Sequence, residues 1–217
     1  MDTLLSLTSG ASLPLDTLAG LTLLSCLPLL LMLATSFVRI AVVLSLVRSA
    51  IGASALPPNA VLSGLALVLT FVVMAPTGER IAREALVPYQ HKQISRQQAM
   101  QRAGQPLRDF MLRQTQRRDI VLFARVAHRP AREGLAQAPF TVLVPAFVVN
   151  ELRNGFGIGL VLYLPFVAID LAVSALLMGL GMMMLSPPVI SLPCKLLLFV
   201  MVDGWGLVCG GLVQSFR

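Results

Sequence analysis

"AFVVNELRNGFGIGLVLYLPFVAIDLAVSALLMGLG", residues 146–181, is the most informative stretch of this chain. It is 36 residues long and carries Glu151, Arg153 and Asp170 inside otherwise apolar sequence. As a helix rising about 1.5 Å per residue it extends about 54 Å. The hydrocarbon core of a bilayer is only about 30 Å thick. An ordinary lipid-bathed span has no use for such length or for three charges. A long helix, kinked by proline and running partly through protein, fits both facts.

The rest of the composition agrees. The chain has 217 residues, 56% of them hydrophobic and 12% charged, about half the charged share of a soluble domain. So much apolar surface cannot be hidden in one water-facing core. The composition therefore predicts a membrane protein, or a buried part of a membrane assembly. The first sixteen residues contain no Lys or Arg. A secretory signal begins with a basic region, so the first apolar segment is expected to be retained.

Toward the N-terminus, residues 17–38 are uncharged and long enough to span a bilayer. This first span is expected to bend at Pro28 and to continue through Arg39 to Arg48. Pro57 and Pro58 then break the chain. "AVLSGLALVLTFVVM", residues 60–74, is a second apolar helix ending near Pro76. Downstream, Pro187 and Pro188 read as the breaker of the long helix, and an apolar helix from about residue 189 runs nearly to the C-terminus. Two helical hairpins result, each turning at a Pro-Pro pair, a weak sign of internal repetition. The predicted fold is all-α, with residues 1–78 as the N-terminal segment and first hairpin, 79–133 as a polar insert and 134–217 as the second hairpin.

The insert holds twelve Lys or Arg against five Asp or Glu, a net of +7 that equals the charge of the whole chain. Leu107, Phe110 and Met111 share one helical face. Asp109 stands four residues before Arg113, an order that supports a helix. Two or three short helices are expected. Tyr89, Phe110 and Phe123 are the insert's aromatics and do not alternate with its arginines, as a base-stacking platform requires. A nucleic-acid partner is not expected.

Arg39, Glu151, Arg153, Asp170, Lys195 and Asp203 lie within or beside apolar runs, where each charge costs about 2.5–3.5 kcal/mol on insertion scales. They should pair, face water or be held in protein. Folding the second hairpin about residues 185–186 brings Asp170 level with Met201 and near Asp203. Lys195 then lies about two helical turns nearer the bend, so Asp170 and Lys195 are expected to pair across subunits. Gly155 with Gly159, and Gly206 with Gly210, have the spacing that lets helix backbones approach closely. Tight oligomeric packing is favoured over a lipid-bathed monomer.

Catalytic patterns are missing: there is no HExxH, GxSxG, P-loop or GxGxxG. His91 and His128 lack metal-ligand spacing, and Cys26, Cys194 and Cys209 form no CxxC. No enzyme activity, cofactor or metal is expected. Two function classes remain: a structural channel subunit, or a stand-alone membrane transporter using Asp170 and Lys195 as an ion or proton relay.

"TSFVRIAVVLSLVRSAIG", "PPNAVLSGLALVLTFVVMAP", "FMLRQTQRRDIVLFARVA", "LPFVAIDLAVSALLMGLGMMM", "GMMMLSPP" and "LPCKLLLFVMVDGWGLVCGGLVQSF" together resemble the SctR/FliP family of type III secretion export-gate proteins, from about Leu21 to Phe216. A short N-terminus without a signal sequence resembles the SctR branch, the HrcR/YscR-like proteins of virulence injectisomes. The resemblance implies a multi-pass inner-membrane protein that forms a homo-oligomer, a pentamer, with SctS-like and SctT-like proteins and in contact with SctU-like and SctV-like components. Such a gate is the entry channel for unfolded secreted polypeptides and touches membrane lipid. The resemblance also places the insert and both termini on the periplasmic side. A net +7 points to the cytoplasm, but that rule weakens for loops near 60 residues.

The same resemblance makes Met182, Met183 and Met184 a channel constriction. Side-chain geometry is compatible with it. Neighbours on a helix are about 100° apart, so three in a row cannot share one core. Methionine is unbranched and adapts to irregular partners.

Overall fold

The computed structural model describes residues 25, 32–53, 56–128, 138–182 and 184–216. Every element among them is a helix. They are α1 (Phe37–Ile51), α2 (Asn59–Gln90), α3 (Arg96–Gln114), α4 (Arg117–Val126), α5 (Phe140–Gly179), α6 (Pro187–Met201) and α7 (Gly204–Gln214). Two of them, α2 with 32 residues and α5 with 40, are long and apolar enough to cross a membrane. The pair α6 and α7 makes a third candidate span, bent by 62° at the break between them.

The first predicted span falls mostly on residues outside those described, including Pro28 and the N-terminal stretch. Its described end is not continuous: a turn and bend at residues 34–36 precede α1. Thr35 donates its hydroxyl to the Met32 carbonyl there, at 3.0 Å. A side chain that bonds its own backbone competes with the helical ladder. At the other end Gly52, at φ 84°, caps α1 and donates its N–H to Ser49 O.

Both Pro-Pro pairs start helices; neither ends one. Pro58 is the residue before α2, and Pro187 opens α6. The first turn of a helix has N–H groups with no intrahelical partner, so proline loses nothing there. α2 also does not stop near Pro76. It continues through a π-helical turn at Ala82–Leu86 to Gln90. Pro76 forfeits one backbone bond, but Thr77 and Ala85 on either side of the π-helical turn's start are buried and α3 packs along this part of α2. α3 begins with a capping box: Ser95 Oγ accepts from Gln98 N–H, and Gln98 Oε1 accepts from Ser95 N–H.

Two cores result. In one, Ile40, Val43, Leu44 and Val47 of α1 pack with α2, with Phe166 of α5, with Phe199 of α6 and with Leu212 of α7. In the other, Phe110 and Met111 of α3 and Ile120 of α4 pack on Val142, Leu143 and Phe147 of α5. The first third of α5 thus belongs to the insert, which is why this helix exceeds the bilayer.

The last apolar run is not one helix. It breaks at Val202 and Asp203, with Asp203 at φ 51°. A Cβ on Gly204 would sit 2.3 Å from Phe199 ring carbons, so only glycine fits beneath that ring. Phe199 in turn stacks edge-on against Trp205, with centroids 5.2 Å apart.

Candidate functional site

Arg39 is the hub of the charged residues. Its Nε donates to Glu151 Oε2 at 2.9 Å, and Nη2 donates to both Glu151 Oε1 and Gln114 Oε1. Nη1 donates to the Ser215 carbonyl at 3.1 Å and to Ser215 Oγ. The Phe216 ring lies 3.8 Å from the guanidinium carbon. Arg39 is 3% exposed and Glu151 0%. A buried ion pair offsets its desolvation only when the remaining donors and acceptors are also met, and here all five guanidinium N–H groups have partners. Gln114 extends the network, donating to Phe216 O, and its own carbonyl accepts from Asn150 Nδ2. One arginine thus ties α1, α3, α5 and the C-terminal residues together.

Two further pairs fasten the insert. Arg153 grips Asp119 of α4 with both terminal nitrogens, at 2.6 and 2.9 Å. That bidentate bond holds the Asp119 carboxyl below its ordinary value, against an opposing effect of burial. Arg80 of α2 donates to Asp109 of α3 at 3.1 Å. Asp109 therefore bonds across helices to Arg80 and along α3 to Gln105, and not to Arg113 as its spacing suggested.

Lys195 reaches Asp170 Oδ2 at 2.6 Å within the one chain. Ser191 donates its hydroxyl to the other carboxylate oxygen, and Lys195 also donates to Ala50 O in the last turn of α1. An ammonium there complements the negative end of the α1 dipole. The expected pairing across subunits is replaced by an internal one because the hairpin reverses earlier than residues 185–186. α5 ends at Gly179 and α6 starts at Pro187, so the centre of the reversal is near residue 183. That shift of about two-thirds of a turn on each arm brings residues 170 and 195 nearly level. Asp203 is exposed at the α6–α7 break instead. A cleft of about 420 Å³ opens beside the pair, walled by Ser49, Gly52, Tyr163 and Leu192.

The two glycine pairs differ. α1 and α5 run in the same direction, and a Cβ on Gly155 would lie 3.2 Å from Val42 Cγ1. One on Gly159 would lie 2.2 Å from Leu46 Cδ1. This pair seats α5 on α1 inside the chain. A Cβ on Gly206 would meet Asp203 Oδ2 at 2.2 Å, whereas Gly210 faces open space.

The methionine turn is closed by glycine. Gly181 has φ 71°; its N–H donates to Met178 O and the Met182 N–H to Leu177 O. These two bonds form the Schellman motif, which ends a helix and satisfies its last carbonyls. Met184 is fully exposed and Met182 is 45% exposed, beside exposed Leu180 and Leu185. Met183 lies outside the described residues. The tip of the hairpin is therefore an apolar surface that nothing described in its own chain covers.

Among the described residues, no group of three His, Cys, Asp or Glu is placed to hold a metal ion. Cys194 and Cys209 are free thiols, and Cys26 lies outside the described residues.

Sequence reasoning missed Asp119, Gln114, Ser191, Ser215 and Phe216 as partners, because polar residues within the insert or near a chain end carry no signal of what they meet. Two misses had a signal. Gly181 follows the last apolar turn of α5 as a C-cap glycine does, and Asp203-Gly204 is a turn dipeptide.

A profile of the FliP family matches residues 20–212. The chain is 51% identical over 205 residues to the flagellar biosynthetic protein FliP of Pectobacterium carotovorum subsp. carotovorum, covering 94% of this chain and 80% of that one. It is 47% identical over 196 residues to the protein of the same name from Bacillus subtilis strain 168, covering 90% and 89%. With the Caulobacter vibrioides FliP it shares 49% over 201 residues, covering 92% and 76%. On the match of nearly its whole length, the chain belongs to the FliP family.

Proposed function

We propose that the chain is a non-enzymatic subunit of a type III protein-export gate in the bacterial inner membrane. Copies of it, a pentamer by family resemblance, pack with SctS-like and SctT-like proteins around a conduit for unfolded polypeptides, and SctU-like and SctV-like components adjoin the assembly. The insert and both termini face the periplasm in this reading. The names of the relatives support a flagellar setting over the injectisome one. Complementation of flagellar and injectisome deletion strains separates the two.

One observation carries the proposal: the exposed apolar tip at Met182 and Met184, held by a closed glycine turn at the end of a 40-residue helix. Brought together around an axis, such tips make a soft ring that yields to varied chains and closes again. No observation favours a relay through Asp170 and Lys195, which bond to each other and to Ser191.

Replacing Met182, Met183 and Met184 together with alanine is expected to leave assembly intact and to raise the ion conductance of membranes carrying the gate. Planar-bilayer or whole-cell conductance reads it. Unchanged conductance in a normally assembled mutant removes the ring.

A further inference from the structure

A cleft of about 380 Å³ opens between the end of α2 and α3. Arg83, Glu84 and Pro88 of α2 wall one side, Arg102 and Gln105 of α3 the other. The α2 wall is built by the π-helical turn, in which the Val87 N–H donates to the Ala82 carbonyl five residues back. Pro88 has no N–H, and in an α-helix its ring presses on the carbonyl four residues earlier, that of Glu84. The wider turn relieves that contact. It also changes which residues share a face. Residues five apart stand about 140° apart around an α-helix, but they stack in a turn closed by i→i+5 bonds. Arg83 and Pro88 therefore line the same cleft.

The charges there are unbalanced. Arg80 engages both nearby acids, donating to Glu84 Oε1 at 3.3 Å and to Asp109 Oδ2 at 3.1 Å. Gln105 donates its amide N–H to the other Asp109 oxygen. Arg83 and Arg102 are exposed and make no hydrogen bond or ion pair among the described residues. Two guanidinium groups on one cleft repel each other, and a carboxylate between them removes the repulsion. Each guanidinium offers a planar fork that matches a carboxylate. Glu84 in the wall disfavours a dianion such as phosphate, and Pro88 gives methylene groups an apolar surface. An acidic side chain meets all these conditions. The insert's net +7 in 55 residues draws an acidic segment toward it.

We propose that this cleft binds a carboxylate side chain from an acidic segment of a different protein chain, with Arg83 and Arg102 as its two clamps. A second copy of the insert is the less suited occupant, because it carries the same positive excess.

The test uses the full-length chain in detergent micelles and a rhodamine-labelled octaglutamate peptide, with octaglutamine as the neutral probe and fluorescence anisotropy as the readout. The wild type is expected to bind octaglutamate and not octaglutamine, and hydrogen exchange is expected to slow across residues 82–90 on binding. Arg83→Gln and Arg102→Gln are each expected to weaken binding about threefold, and together about tenfold, within the range for exposed ion pairs. Arg117→Gln/Arg125→Gln removes the same charge from exposed positions on α4 and is expected to keep the affinity within about twofold. All four side chains are exposed, so the variants should melt as the wild type does. Equal losses in the cleft pair and the α4 pair reduce the effect to general charge and overturn the proposal. Inorganic phosphate that displaces the peptide where free glutamate does not overturns it in favour of a small-anion site. An oligonucleotide bound more tightly than octaglutamate overturns it in favour of nucleic acid. Self-association of the chain that the two cleft variants abolish gives the cleft to a second copy and overturns it as well.

Discussion

Arg39 shows why a charge inside an apolar helix can be a structural necessity. Its worth depends on completeness. Removing one partner strands the other, which costs about 3–5 kcal/mol for a buried pair. Glu151→Ala is thus expected to destabilise the detergent-solubilised protein by that amount in thermal or denaturant unfolding. Arg39→Met/Glu151→Leu, which removes both charges at similar volume, should recover most of the loss. A double variant as unstable as the single one contradicts the pairing account. Gly159 works by absence instead. Gly159→Val forces Leu46 off its seat and is expected to cost about 1–3 kcal/mol by overpacking, with Leu46→Ala in the same chain relieving it. The two residues differ in how visible they are. A lone arginine in "TSFVRIAVV" and a GxxxG in "NGFGIG" are legible as anomalies. Their partners are not, because Glu151 and Leu46 lie more than a hundred positions away.

At the scale of an element, the α5–α6 hairpin turns on one glycine. A non-glycine residue at the φ of Gly181 costs about 1–2 kcal/mol. Gly181→Ala is expected to lower the melting temperature, since it strains the turn whose Schellman bonds set the direction in which Met182 and Met184 leave the helix. Pro187→Ala should change stability by no more than about 0.5 kcal/mol. Thermal melts of the two variants rank them, and a larger effect at Pro187 reverses the assignment. The same comparison explains the slip in register: the last residue of α5 and the first of α6 are separate decisions, and a Pro-Pro pair reports only the second. The α6–α7 break repeats the lesson. Asp203-Gly204 is audible as a turn, yet the apolar sequence around it masks a bend that Phe199 lying over Gly204 imposes.

The whole molecule is two packed regions sharing α5, and charge pairs fasten the insert to the long helices. Asp119 makes this attachment sensitive to acid. Its pKa is lowered in the folded state, by the Arg153 bond above all. The stabilisation is therefore full above the ordinary carboxylate value near 3.8 and is lost as pH falls through the lower, folded value. Limited proteolysis of the insert is expected to accelerate at the acid end of that window in the wild type. Asp119→Asn should be cleaved faster at neutral pH and should show less change on acidification. Equal acid sensitivity in both proteins contradicts a role for this pair.

The all-helical class, the long central helix, the basic insert and the need to hold several charges away from lipid are legible in the residues alone. Composition and apolar run length suffice for these, because a backbone in hydrocarbon must satisfy its own hydrogen bonds and a helix does so locally. Which charge meets which, where each hairpin reverses, and how far α2 and α5 reach into the insert emerge from the packing of the folded chain. Those outcomes depend on side chains distant in sequence arriving at one place, and on glycines whose vacant Cβ positions are filled by residues from another helix. No local pattern encodes such a meeting.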